Sequence, residues 1–173
     1  MNRAKHSRGL ARVASFENLL NAQRLAQRGK RDQREVATFR FHLERELLGL
    51  KDELFERRYL PGPYRTFTVH DPKTRLIHAA AYRDRVVHHA LCSVIEPLFD
   101  RGFIFDSYAC RPGKGNHRAL DRFAHFARRH RYAAHCDVKK YFPSIDHGIL
   151  LELLERRLAD EGLLWLCAAI LKG

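Results

Sequence analysis

The chain has 173 residues, 45% of them hydrophobic, and its 32 Lys and Arg outnumber 20 Asp and Glu to give a net charge of +12. That apolar fraction excludes a disordered chain, the length allows one ordinary core, and the charge favours an acidic partner, nucleic acid above all, over a basic domain with none. No apolar run reaches the length of a bilayer span, and the single cysteines Cys92, Cys110, Cys136 and Cys167 lack the spacing of a zinc site, so a cytoplasmic protein with reduced thiols and no membrane contact is expected.

Residues 1–30 are rich in Arg, Lys, Gln and Asn; Phe16, Leu19, Leu20 and Leu25 have weak helical spacing, which reads as a short helix or a basic arm. Between Asp32 and Arg58, the residues Val36, Phe39, Leu43, Leu47, Leu50 and Leu54 form one stripe of a long helix, ended by "LPGP". "YRTFTV" and "TRLIHA" flank the turn "HDPK", which predicts a hairpin over 64–78. A second helix, Arg83 to Phe99, is expected to bury Val87, Leu91, Val94, Ile95 and Leu98, with Asp84 near its positive end. After the loop "RPGKGN", Asn116 is expected to cap a helix that buries Ala119, Leu120, Phe123 and Phe126.

The stretch Tyr132 to Val138 alternates and predicts a strand, with Tyr132, Ala134, Cys136 and Val138 on the core side and Asp137 facing away at its end. Asp146 then caps a helix carrying Leu150, Leu153, Leu154 and Leu158, and "LLWLCAAIL" is a buried helix. Helices and strands mix without βαβ alternation, so the fold class is α+β, divided as 1–30, 31–131 and 132–173.

Asp137 is placed either to hold a magnesium ion or merely to cap a turn; its residues alone leave both open. The glycines of "SYACRPGKGNHRAL" would let a backbone approach a phosphate flanked by Arg111, Lys114 and Arg118, although a solvated basic turn has the same composition and the spacing is not that of a P-loop. Lys73 and Arg75 on the hairpin are a second phosphate clamp or a charged surface strand. His88 and His89 are adjacent on a helix and cannot share one metal, and Ser144 has no evident histidine and carboxylate partners.

Taken in order, "PKTRLIHAAAYRDRVVHHALCSVIEPLF", "FIFDSYACRPGKGNHRAL" and "HCDVKKYFPSIDH" resemble reverse transcriptases of the bacterial retroelement group, over roughly residues 60–160. "RDRVVHHAL" with "SYACRPGKG" is most similar to the diversity-generating retroelement type, and the group also includes group II intron and retron enzymes. The resemblance implies an RNA-directed DNA polymerase working by two-metal nucleotidyl transfer with Mg2+, an RNA template, a DNA primer and deoxynucleotides, with a retroelement accessory protein as a further partner. It makes Asp137 the first catalytic carboxylate, binding the metal with the carbonyl of Val138. Phe142 becomes the steric gate against a 2′-hydroxyl, Lys73 and Arg75 the triphosphate grip, and Arg111 a residue beside template and nucleotide.

The family's second catalytic stretch, Tyr-X-Asp-Asp, does not occur in the 173 residues. The resemblance therefore spans the fingers and the first part of the palm, truncated before that motif and the thumb. The chain alone is expected to be inactive, since two-metal chemistry needs more than one carboxylate. The alternative is a non-catalytic basic RNA-binding remnant of such an enzyme.

Overall fold

The computed structural model describes residues 8–172; the first residues of the expected N-terminal segment and the last of the expected palm region lie outside them. In chain order the elements are α1 (Arg8–Val13), α2 (Phe16–Ala26), α3 (Arg34–Phe41), α4 (Leu43–Phe55), β1 (Arg65–His70), β2 (Thr74–Ala79), α5 (Tyr82–Asp100), α6 (Asn116–Ala127), a 3-10 turn at Phe142–Ser144, α7 (His147–Glu155) and α8 (Glu161–Lys172). The chain separates into two units, residues 8–96 with 147–172, and Pro97–Asp146. These boundaries differ from the divisions expected at residues 30/31 and 131/132. Among the described residues no helix is long and apolar enough to cross a membrane.

The first unit holds the core: Val13, Leu19, Val36, Leu47, Leu50, Leu54, Val86, Val87, Leu158 and Leu166 are all fully buried. Residues 8–26 take the helical reading. Ser15 starts α2 by accepting the Asn18 N–H at 3.3 Å. Its buried face is Leu19, Ala22, Gln23 and Ala26, while Phe16 and Leu25 of the expected stripe stand exposed. Two alanines and a glutamine carry too little hydrophobicity to mark that face. Gln23 is tolerated inside because its Nε2 donates to the Tyr82 hydroxyl at 3.2 Å.

The expected long helix is divided at His42, whose φ of −108° and ψ of 27° leave helical geometry for one residue. Its N–H still reaches the Thr38 carbonyl at 3.3 Å and its carbonyl accepts from Glu46 at 2.9 Å, so the ladder runs through the break and Val36, Phe39, Leu47, Leu50 and Leu54 keep one buried stripe. Arg57, at a φ of 54°, ends α4 in the left-handed region, and the N–H groups of Arg58 and Tyr59 fold back to the Glu53 carbonyl. That reversal buries Tyr59, whose hydroxyl donates to Asp84 Oδ1 at 2.7 Å. Asp84 Oδ2 accepts the Gly62 N–H at 2.9 Å. Asp84 is only 2% exposed, so beyond suiting the positive end of α5 it pins the "LPGP" turn that leads to the hairpin.

β1 and β2 form an antiparallel hairpin with Arg65 opposite Ala79 and His70 opposite Thr74. Cross-strand pairs Thr66–His78 and His70–Thr74 hydrogen-bond on one face, and most of both strands is exposed. α8 buries Gly162, Leu163, Leu166 and Cys167.

The second unit departs from expectation twice. The stripe of α6 is not buried: Leu120 is 63% and Phe123 60% exposed, because α6 is the only helix lying wholly within this unit and its apolar spacing meets no second stripe there. Its cap is Gly115, at a φ of 87°, and Asn116 is the first helical residue. Residues 132–138 do not form the expected strand; the only sheet among the described residues is the β1–β2 hairpin, and every residue of 132–138 is exposed. Alternation earns a strand nothing until a neighbour completes the ladder, and β1 and β2 satisfy one another.

Candidate nucleic-acid interface

The second unit carries ten Lys and Arg against five Asp and no Glu. Its loop between α5 and α6 turns by three left-handed residues, Cys110 at a φ of 54°, Gly113 at 71° and Gly115 at 87°. Glycine adopts that conformation freely, and Cys110 does so at a cost of about 1 kcal/mol. Arg111, just after it, is turned inward with its side chain 12% exposed. Its Nε donates to Asp100 Oδ1 at 2.6 Å, and its Nη1 to the carbonyls of Ile104 at 3.0 Å and Ser107 at 3.1 Å. The guanidinium lies 5.4 Å from the Phe103 ring centroid. Donation from Arg111 holds the Asp100 carboxyl below its ordinary range. Arg111 thus braces the loop from within.

A second set of contacts, which sequence reasoning missed, shapes the outer side. Arg122 on α6 grips Asp106 with two donations, Nε to Oδ1 at 2.8 Å and Nη2 to Oδ2 at 3.2 Å. Asp106 Oδ1 also accepts the Tyr108 hydroxyl at 2.9 Å, which fixes the direction of the phenol ring. The grip of Arg122 lowers the Asp106 pKa, while burial and the bond to Asp106 raise that of Tyr108. Lys114 donates to the Phe105 carbonyl at 2.6 Å and sits 3.6 Å from the centroid of that residue's ring. The one legible signal was spacing on α6: Arg118, Asp121, Arg122 and His125 fall at i, i+3, i+4 and i+7, a polar stripe beside the apolar one. Asp106 and Tyr108 lie in an irregular loop, where no periodicity marks a partner 16 positions away.

Asp137, Val138 and Phe142 follow one another along an exposed stretch of the same unit. Phe142 is 81% exposed, its ring edge-on to Tyr141 at 5.2 Å. Lys140, between Asp137 and Phe142, takes a left-handed φ of 53°. Among the described residues no group of three or more His, Cys, Asp or Glu comes together as a metal site. Asp137 with the Val138 carbonyl gives one charged ligand, and the donor set does not fit a two-metal centre.

Lys73 and Arg75 belong to the first unit. Lys73 is in the turn between β1 and β2, and Arg75 pairs across the hairpin with Val69. Arg75 shares a face with Arg65 and Phe67, whose guanidinium and ring lie 5.5 Å apart. Both candidate cations are exposed and neither forms an ion pair with another described residue.

No protein-family model matches the chain. Over 122 residues the chain is 32% identical to Protein YkfC of Escherichia coli (strain K12), a match that covers 66% of the chain and 32% of that protein. Over 91 residues it is 26% identical to nuclear intron maturase 1, mitochondrial, of Arabidopsis thaliana, covering 53% of the chain and 13% of that protein. The chain spans about a third of the first relative's length and about an eighth of the second's, and is similar in part to an intron maturase.

Proposed function

We propose that the chain forms the fingers and the first part of the palm of an RNA-directed DNA polymerase of the bacterial retroelement type, and that its own share of the work is to bind template RNA, DNA primer and deoxynucleotides. The observation that carries this reading is the order and spacing of three motifs, ending in "HCDVKKYFPSIDH", and the partial similarity to an intron maturase supports it. In this reading the exposed cations Lys73 and Arg75 pair with the triphosphate, and the exposed ring of Phe142 faces the sugar. Arg111 acts by bracing the loop, because its guanidinium already serves Asp100 and two carbonyls. Asp137 is one anchor for magnesium, an ion that would neutralise phosphate charge when bound; a complete centre needs a further carboxylate. The same single carboxylate favours the second reading, a basic RNA-binding remnant without chemistry.

The test has two arms. Purified residues 1–173 should bind RNA and RNA–DNA hybrid in fluorescence anisotropy, more weakly as salt rises, and should extend no primer. Absence of binding at low salt overturns both readings. In a chain that also carries a Tyr-X-Asp-Asp segment, Asp137→Asn should abolish extension and leave template affinity nearly unchanged. Extension there at the native rate would sink the assignment of Asp137 as a catalytic carboxylate, and absence of extension by the native form of that chain would favour the remnant.

A further inference from the structure

Beside the braced loop lies a cleft of about 630 Å³, within the usual range for a small-ligand site. Phe105, Tyr108 and Lys114 line it from the loop, and the polar stripe of α6, Arg118 to His125, lines it from the helix. Three features of this cleft converge. Its Tyr108 ring is held in one orientation, because the hydroxyl is tied to Asp106 and Asp106 is gripped at both oxygens by Arg122. Lys114 stands 3.6 Å from the Phe105 ring centroid and 5.1 Å from that of Tyr108, so both loop rings flank one cation, and of the two Tyr108 is the ring whose hydroxyl is anchored. Arg118 is exposed and forms no ion pair with a described residue, whereas Arg122 is neutralised by Asp106. A flat ring with fixed orientation beside an unneutralised guanidinium suits a planar group joined to an anion.

We propose that this cleft seats one nucleotide of a single-stranded nucleic acid, its base stacked on Tyr108 and its phosphate on Arg118 with Lys114 beside it. The proposal rests on the nucleic-acid reading above and adds a place where an unpaired base is held. Asp121 and His125, on the same stripe, face the cleft with an acceptor and an imidazole for the polar edge of the base. A duplex presents its bases stacked and paired, so the site should prefer single strands.

The experiment uses residues 1–173, a labelled single-stranded RNA oligonucleotide, the same sequence as a duplex, and AMP, adenosine and ribose 5-phosphate as competitors. Tyr108→Ala should weaken single-strand binding by about 10-fold, the order expected for one lost base stack, and should leave duplex binding within about twofold. Tyr108→Phe, which keeps the ring but frees it from Asp106, should fall between the native chain and Tyr108→Ala. Arg118→Ala, an exposed change that disturbs no ion pair, should weaken single-strand binding and lower its salt slope by about 0.7, one phosphate contact on a single strand. AMP should compete better than adenosine or ribose 5-phosphate; competition by AMP and ribose 5-phosphate alike would show a bare phosphate site and overturn the base contact. Should Tyr108→Ala unfold, the Arg118→Ala slope and the competition order decide. Native chain that binds single strands, with both variants folded and unchanged in affinity, overturns this inference alone; native chain that binds no nucleic acid overturns the functional reading with it.

Discussion

The backbone N–H of Gly9 donates to Asp160 Oδ2 at 2.8 Å, joining α1 to the turn before α8 across 151 positions of sequence. The other oxygen, Oδ1, accepts the Leu163 N–H at 3.0 Å, so one carboxylate both caps α8 and holds α1 against it. The approach needs glycine: a Cβ on residue 9 would lie 2.5 Å from Leu163 Cδ1 and 2.9 Å from Asp160 Oδ2. Gly9→Ala should therefore destabilise the first unit by about 1–3 kcal/mol, although alanine is the better helix former. Urea denaturation checks this, and a midpoint equal to or above the native one would show that α1 does not depend on the close contact.

Asp84 and Tyr59 make a similar test at the base of the hairpin. Tyr59→Phe keeps the ring and leaves Asp84 Oδ1 without its buried donor, which should cost about 1–3 kcal/mol. Asp84→Ala removes the acceptor for both Tyr59 and Gly62 and should cost more, with faster amide exchange at Gly62. Equal stability for native protein and Tyr59→Phe would mean that the hydroxyl contributes nothing to the fold.

The four cysteines should differ in reactivity. Burial pushes the Cys167 thiol up to about 11, so at pH 8 it stays protonated as well as enclosed. Cys110 and Cys136 are exposed. Iodoacetamide at pH 8 should modify Cys110 and Cys136 first and Cys167 last, and only with denaturant at an appreciable rate. Peptide mapping that found Cys167 among the first modified would mean that α8 opens readily.

What could be read in the sequence was what repeats. The 3.6-residue spacing of Val36 to Leu54 placed α3 and α4 and named their buried residues, whereas that of Val87 to Leu98 placed α5 but named only Val87, Leu91 and Val94 of its buried face, with Leu98 exposed. The turn "HDPK" placed the hairpin between residues that do pair. Where the reading failed, the missing information lay outside the segment. Leu120 and Phe123 have core spacing yet stand exposed, and residues 132–138 alternate yet form no ladder; a pattern tells which face could be covered, and a partner decides whether it is. Among the candidate residues, Lys73, Arg75, Asp137 and Phe142 were read as residue types in motifs. The inward turn of Arg111 and the Arg122–Asp106–Tyr108 relay were not, since they depend on how a loop with three left-handed residues closes.

Acid should weaken the two units in separate steps. In the first unit, burial lowers the pKa of His88 from its ordinary 6.5; Asp84 opposes this and His89 adds to it. Burial lowers His89 as well, with Lys30 and Arg85 contributing. A histidine whose folded pKa is depressed takes up its proton more readily in the unfolded chain. Its effect on stability is absent above 6.5 and grows as a loss while pH falls below 6.5 toward the folded value. In the second unit Asp100 and Asp106 are depressed below 3.8, chiefly by donation from Arg111 and Arg122. Their contribution is present above 3.8 and is lost as pH falls through the folded values. Urea midpoints measured from pH 8 to pH 3 should thus decline first below 6.5 and again below 3.8. His88→Gln should reduce the first decline to the share of His89 and leave the second. Asp106→Asn should do the reverse, and its loss of loop order should show in Tyr108 fluorescence already at pH 7. A native profile flat from pH 7 to 4.5 would show that His88 is charged as easily in the fold as out of it, and that the burial of α5 is less complete than its packing implies.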